Sequence, residues 1–486
     1  MNETPNNKSG WRWTRRILVV SACLATLIAV LYAEEDWRGK RAWENCKREL
    51  EAKGAVLDWD KYIPPPVPDD QNFFKAPKMT AWFVRQKQAE NHPDVLDLRG
   101  NLSNDLTERL RNPDTTATNL NEAAAAKYLA WSDQFQPDFD LIREALRRPY
   151  AVIPGDYSKP YEQPIPNFVT MRTIAQTLAQ RAKCFLLLNR PEEALSELTL
   201  MHDVCRILEK PPTGQPETLV EAMINVAITG LYVATVQEGF RMHEWQVPQL
   251  AAIQAQLAEI NLPPWLTAAF QAEQAATCHA AELVQPSQIS MIGLASAKRT
   301  IWKKIMDLPN HAIDMAPRGW VYQNMAVCAR VIQIQKENVL DSNQNAIPRR
   351  TELAAKEIAK SLDNHHSPFY LLARIAVPNF TKAMQSCAFN QTLVNEAQIA
   401  CALERYHLAH GEYPETLEAL APQFIETIPH DIIGGQPLHY RRAADGKFLL
   451  YSIGWNETDD GGKVVLTKTG RVDTEKGDWV WQYPQK

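Results

Sequence analysis

Hydrophobic positions along the chain fall into three regimes, and the first is the most distinctive. Ile17 to Ala33 form one unbroken apolar run, ILVVSACLATLIAVLYA, with no charge inside it. About 17 apolar residues is the low end of what crosses a bilayer as a helix. Arg15 and Arg16 precede the run, and Glu34, Glu35 and Asp36 follow it. Trp11, Trp13, Tyr32 and Trp37 flank its two ends, where amphipathic rings settle at a membrane interface. The pattern predicts a tail over 1–16, a transmembrane helix over 17–33 and a chain tethered to the lipid bilayer through it. A cleaved secretory signal competes with this assignment. However, Leu31 stands two residues before a cut after Ala33 and spoils the small-residue pattern such a cut needs. A buried core helix is the third reading. Lys8, Arg12, Arg15 and Arg16 before the run nearly balance Arg38, Lys40, Arg41, Lys47 and Arg48 after it, so the positive-inside rule does not decide orientation alone. The short basic tail ahead of the run favours a cytoplasmic tail. The bulk of this single-pass chain is then expected on the periplasmic or extracytoplasmic side.

The second regime is helical, with breaks. Residues 36–54 read as a short helix stopped at Gly54. Ile63-Pro-Pro-Pro-Val-Pro68 removes backbone donors and stiffens the chain. It is expected to complete a juxtamembrane region, 34–70, as a spacer lifting the body off the membrane. Asp69, Asp70, Phe73 and Phe74 would then dock that spacer on the first folded domain. A mixed region over 71–167 follows: a strand or irregular segment within 92–112 (VLDLRGNL), helices over Ala123–Phe135 and Phe139–Arg147, and a proline-rich loop over 149–167. From 168 to 388 apolar residues recur at three and four. Ile174, Leu178, Ala182, Phe185 and Leu186 are followed by Ala194, Leu195, Leu198, Met201 and Val204, which predicts a helical domain. Residues 179–208, with a turn at Asn189-Arg190-Pro191, resemble a single tetratricopeptide-type helix pair. No clean second copy is present, and an ordinary hairpin is the alternative.

The third regime covers 389–486. A helix over Asn390–His410 stops at Gly411, and a short helix over Thr416–Leu420 follows. Pro437–Arg442 and Lys447–Gly454 then alternate as an antiparallel hairpin turning at Ala444-Asp445-Gly446. The expected fold class is mainly α, built from helical hairpins that are tetratricopeptide-like in the one case above. An N-terminal transmembrane helix and a small C-terminal α+β module complete it.

The order ERYHLAHGEYPETLEAL, IPHDIIGGQPLHYRR, GKFLLYSIGWNETDDGG and GDWVW resembles the globular domain of type II secretion major pseudopilins. The chain is also similar to uncharacterised bacterial membrane-anchored proteins that carry such a tail, which brings no activity with it. In pseudopilins the apolar helix carries a Glu near its start and runs straight into the globular part. Here the run holds no Glu and lies far from the tail, so the resemblance implies the fold of the tail rather than assembly into a fibre. It also implies calcium at the acidic loop, where Asn456, Asp459, Asp460 and Asp478 occupy the matching region. Carboxylate and amide oxygens suit a hard cation, and Gly461-Gly462 lets the backbone fold inward. A solvated acidic turn is the alternative, and no EF-hand spacing supports the metal.

Composition changes this picture little. At 45% hydrophobic, 22% charged and net charge −5, the chain offers no electrostatic case for nucleic acid. Of eight cysteines, Cys23 lies in the apolar run, and Cys46, Cys184, Cys205, Cys278, Cys328, Cys387 and Cys401 are scattered without a C-x-x-C. They read mostly as small buried apolar residues. Cys184 and Cys205 would be offset by roughly 13 Å along antiparallel helices, too far to bond. No H-E-x-x-H, G-x-S-x-G, Walker A or G-x-G-x-x-G occurs. Glu404-x-x-His407-x-x-His410 reads as a solvated helix end, His365-His366 as a loop cap, and Cys278, His279 and Glu282 as unremarkable. The sequence therefore points to an anchored envelope protein without catalytic motifs, whose helical body meets protein partners as a scaffold or accessory of a secretion or envelope assembly. A hydrolase-like enzyme with a site built from dispersed residues and a pilus-like fibre component are the alternatives.

Overall fold

The computed structural model describes residues 8–85, 96, 98, 118–160, 163–216, 218–283, 316–364, 367–377, 380–443 and 446–481. The expected segment over 92–112, His365-His366 and the Ala444-Asp445 turn lie outside the described residues. The helices in chain order are α1 (Lys8–Ala52), α2 (Met79–Phe83), α3 (Thr118–Ser132), α4 (Gln136–Leu146), α5 (Phe168–Leu187), α6 (Pro191–Cys205), α7 (Leu219–Met242), α8 (Val247–Ala258), α9 (Leu262–Leu283), α10 (Arg318–Glu337), α11 (Pro348–Asn364), α12 (Leu371–Ala376) and α13 (Phe380–His410). The strands are β1 (His439–Arg442), β2 (Phe448–Ser452), β3 (Val464–Leu466), β4 (Val472–Gly477) and β5 (Trp479–Val480). The protein is mainly helical, with an N-terminal apolar helix and a small C-terminal sheet. Contacts divide it into two units.

The first unit comprises 1–57, 274–333 and 358–378. Its principal element is α1, which runs without interruption for 45 residues, about 68 Å at the helical rise. The apolar run and the helix expected over 36–54 are thus one rod. Nothing between them breaks helical geometry, since Glu34 to Arg38 contain neither proline nor glycine. Gly54, at φ +83°, lies just past the helix end, where a left-handed residue is the usual stop. The rod has two unlike halves. Its most apolar window is wholly exposed, and α1 is long and apolar enough to span a membrane. Beyond it, Trp43, Cys46 and Leu50 share one face and bury it against Cys278, Ala281, Val321, Met325, Ala326 and Ala329. Inside this cluster Gln274 Nε2 donates to the Ala329 carbonyl at 2.8 Å and to Gln333 Oε1 at 3.2 Å.

The second unit comprises 58–273, 334–357 and 379–486. Its helical part is the α5–α6 hairpin, packed on α3 and α7, with α13 laid against α7 and α8. α7 is also long and apolar, but most of it is buried, with Tyr232, Val233 and Val236 at 1% exposure or less, so it is a core helix. At the hairpin turn Asn189 takes φ +56° and Pro191 opens α6, where its missing N–H costs nothing. Buried Arg181 ties α5 to its neighbours. It donates to Glu197 Oε1 (3.0 Å), Ser132 Oγ (2.7 Å) and Asp133 Oδ1 (2.9 Å). All eight cysteines are free thiols, and all but Cys23 are buried.

The residues flanking the proline segment are docked on the second unit, as expected for Phe73 and Phe74. On one side of the segment Trp59 Nε1 donates to the Tyr157 carbonyl at 2.7 Å. On the other, buried Phe73 donates its N–H to the Tyr150 carbonyl at 2.7 Å, and Asn72 exchanges bonds with Val152. Both ends are held on the same loop, with Trp59 and Phe73 buried there. In the C-terminal part, α13 begins at Phe380 rather than Asn390 and ends at His410, with Gly411 at φ +78°. The expected hairpin pairs antiparallel with His439 opposite Tyr451 and Arg442 opposite Phe448. β5 extends this sheet in the order β1-β2-β5, and β3 and β4 form a separate ribbon. The short helix over 416–420 is a 3-10 turn over Leu417–Leu420.

Candidate functional site

Among the described residues chemistry-bearing groups gather in several places, and the first is where α1 leaves its apolar half. Gly39 lies against Gly319: a Cβ on Gly39 would stand 2.1 Å from the Gly319 carbonyl oxygen, and one on Gly319 would stand 2.0 Å from that of Glu35. Only two glycines allow backbones to approach so closely. Asp36 Oδ1 accepts from the Gly319 N–H at 2.7 Å, and Glu35 Oε2 accepts from Trp320 Nε1 at 3.2 Å. Two carboxylates thereby meet the positive N-terminus of α10. Further along, the Cys46 thiol meets the Ala326 carbonyl at 3.5 Å, and Arg330 pairs with Glu49 at 3.3 Å. Because the contacts advance along both helices together, α1 and α10 run in the same direction. Burial pushes the Cys46 thiol pKa up, so this cysteine is a packing residue.

The second place is the acidic loop. Asn456, Asp459, Asp460 and Asp478 do come together, but their oxygens face donors. Asp478, fully buried, accepts the N–H groups of Asp460 (3.2 Å), Gly462 (2.6 Å) and Lys463 (3.3 Å). Asp459 accepts from Tyr451 Oη at 3.0 Å and from the Gly461 N–H at 2.9 Å, contacts that hold its carboxyl below the usual range. Asn456 Nδ2 donates to Asp460 Oδ2 at 3.3 Å. Among the described residues no group of three or more His, Cys, Asp or Glu is assembled to hold a metal. In this arrangement the buried Asp478 carboxylate sits at the centre of the loop and draws backbone N–H groups inward.

The third place lies along α13. Glu404, His407 and Tyr413 line a cavity of about 400 Å³ with His243, Trp245 and Lys447. Tyr413 Oη donates to Glu404 Oε2 at 2.6 Å, and the His407 ring stacks on Tyr413 at 4.5 Å. The helix end expected to be merely solvated thus has one walled face. His410 leaves the group and packs beside Tyr406 and Phe424. Cys278 belongs to the core of the first unit.

Sequence reading missed a buried acid on the same helix, Glu396, and its acidic neighbour Asp431 from the segment before β1. Glu396 is fully buried, and neither of its oxygens makes a hydrogen bond of normal geometry, although the Ser452 N–H lies near. Burial first, and then the neighbouring Asp431, push its pKa well up. Asp431 accepts from the Ile433 N–H (2.9 Å), Ser452 Oγ (2.8 Å) and the Ile453 N–H (3.3 Å), yet burial raises its pKa to about 6. A signal existed in the sequence, since Glu396 lies on the apolar face defined by Leu393, Ala397 and Ala400. Set beside protein-family models, curated proteins and solved structures, the chain matches none of them.

Proposed function

We propose that this chain is a single-pass membrane protein that holds a helical body against the extracytoplasmic face, where it meets protein partners of a secretion or envelope assembly. The single observation that carries the reading is α1: its apolar half is exposed along its length, while the same rod is packed into a folded unit from Glu35 onward. A signal sequence removed after Ala33 would not need to continue as helix into a core. The tetratricopeptide-like hairpin and the pseudopilin-like tail belong to this proposal. The first is supported by the α5–α6 geometry, and the second by a long helix followed by a small antiparallel sheet and an acidic glycine loop. Orientation rests on the basic tail preceding the run.

Alkaline extraction of membranes and protease treatment of intact spheroplasts test the reading together. The protein is expected in the membrane pellet at its full length, with the body cut only from the outside. Release into the supernatant, or protection of the body, defeats it. The cavity beside Glu404, His407 and Tyr413 favours a second reading, a small-molecule or hydrolase-like site. Activity on an ester or peptide substrate panel that is lost in Glu404→Gln would support it.

A further inference from the structure

The geometry points to a second membrane contact: the face of the first unit around Leu283, Arg318, Trp320 and Phe369 lies in the headgroup layer of the same bilayer that holds α1. This inference rests on the anchor reading and adds that the unit lies on the membrane rather than standing off it.

The level of that face follows from α1. Glu35 is about 3 Å beyond Ala33 at the helical rise, so it marks the end of the apolar run. Its carboxylate accepts from Trp320 Nε1 at 3.2 Å, which places the indole at the same level. Phe369 meets Trp320 edge to face, with ring centroids 5.9 Å apart. The headgroup region is about 5–7 Å deep on each side of the hydrocarbon, so both rings fall within or beside it. Since α10 runs in the same direction as α1, its first turn is its membrane-proximal end. α9 arrives at that end too, because Arg318 Nη2 donates to the Glu282 carbonyl at 3.2 Å.

The chemistry of the face fits a lipid surface. Leu283, the last residue of α9, is 42% exposed, and Trp320 and Phe369 are half-buried. Trp37, on the rod itself, is 61% exposed and carries Arg41 at 5.3 Å from its ring. Arg318 is exposed on the same face. Apolar side chains, amphipathic indoles and a cation suit the boundary between acyl chains and phosphates.

The test uses the full chain, with Cys23→Ser, reconstituted in phosphatidylglycerol/phosphatidylethanolamine vesicles. The remaining cysteines are buried, so a nitroxide can be placed at Leu27→Cys or Ser367→Cys and its collisions with oxygen and with a water-soluble nickel chelate measured. Leu27→Cys is expected to read as hydrocarbon. Ser367→Cys is expected to keep oxygen collisions while losing nickel collisions several-fold relative to a nitroxide free in buffer, and Arg318→Cys gives the same reading should Ser367→Cys fold poorly. If Leu27→Cys reads as hydrocarbon while both other labels collide freely with nickel, the second contact is wrong and the anchor stands. Shielding of both labels from both probes also overturns it, because protein then covers the face. If Leu27→Cys is itself water-exposed, the anchor reading fails and this inference with it.

Discussion

Gly39 of α1 and Gly319 of α10 meet backbone to backbone, so close that a Cβ on Gly39 would stand 2.1 Å from the Gly319 carbonyl oxygen. This crossing makes the continuation of the apolar helix a structural member of the first unit. It lets Asp36 and Glu35 reach the N-terminus of α10, and it brings Trp43, Cys46 and Leu50 onto the opposing core.

Gly39→Leu is therefore expected to separate α1 from α10. Overpacking typically costs about 1–3 kcal/mol, and here the clash is with backbone, which has little room to yield. The sensitive readout is the Cys46 thiol, which is fully buried in the native protein. Maleimide labelling of Cys46 in detergent should be slow in the parent and faster in Gly39→Leu. Unchanged labelling would mean that the crossing contributes nothing to closure.

Arg181 supports a prediction of the opposite kind. Its guanidinium is 3% exposed and holds Glu197, itself 5% exposed at the side chain. Arg181→Met leaves a carboxylate buried without its partner, which costs about 3–5 kcal/mol. Removing both, in Arg181→Met/Glu197→Leu, should recover most of that loss, because an apolar pair of similar volume has no charge to desolvate. Denaturant titration of the three proteins in detergent measures the difference. A double variant as unstable as the single one would show that the other partners of Arg181, Ser132 and Asp133, hold the structure.

Glu396 predicts a pH dependence. In the unfolded chain it ionises near the ordinary glutamate value of about 4.3, whereas burial raises its folded pKa well above that. Between the two the folded state binds more protons than the unfolded state, so unfolding free energy falls as pH rises. The amide in Glu396→Gln has no proton to lose. This variant should melt with the parent near pH 4 and increasingly above it as pH rises toward 8. Asp431, raised to about 6, adds a loss of stability from about pH 4 to 6 that both proteins share. A constant difference across the range would show that Glu396 does not titrate differently on folding.

Asp478 should behave as the keystone of the acidic loop without added metal. Asp478→Ala strips the acceptor from the N–H groups of Asp460, Gly462 and Lys463, and each hydrogen bond lost on this partly exposed loop costs about 0.5–1.5 kcal/mol. Amide hydrogen exchange at Gly462 and Lys463 should quicken in the variant. Exchange as slow as in the parent would mean that these amides find other acceptors.

How much of this was legible beforehand varies with the range of the interaction. The apolar run, the α5–α6 hairpin and the β1–β2 pairing are local patterns: a long stretch without charge, a three-four repeat and a two-residue alternation each dictate their own element. The residues flanking the proline segment are the counter-example: that Trp59 and Phe73 find partners at Tyr157 and Tyr150, far along the chain, is not written in any local pattern.

By itself the sequence determined the N-terminal apolar helix, the mainly helical body and the small C-terminal sheet, since each follows from a pattern within a single stretch of chain. Only the tertiary structure decided which polar groups matter. That the loop's own N–H groups converge on Asp478 is not written in its local sequence, and Glu404 reads as a solvated residue until Tyr413 closes over it. Gly39 and Gly319 each look incidental until the helices cross at that point. The physical reason is the same in all three cases: a buried contact's worth depends on what arrives from a distant part of the chain, and a local pattern carries no record of that arrival.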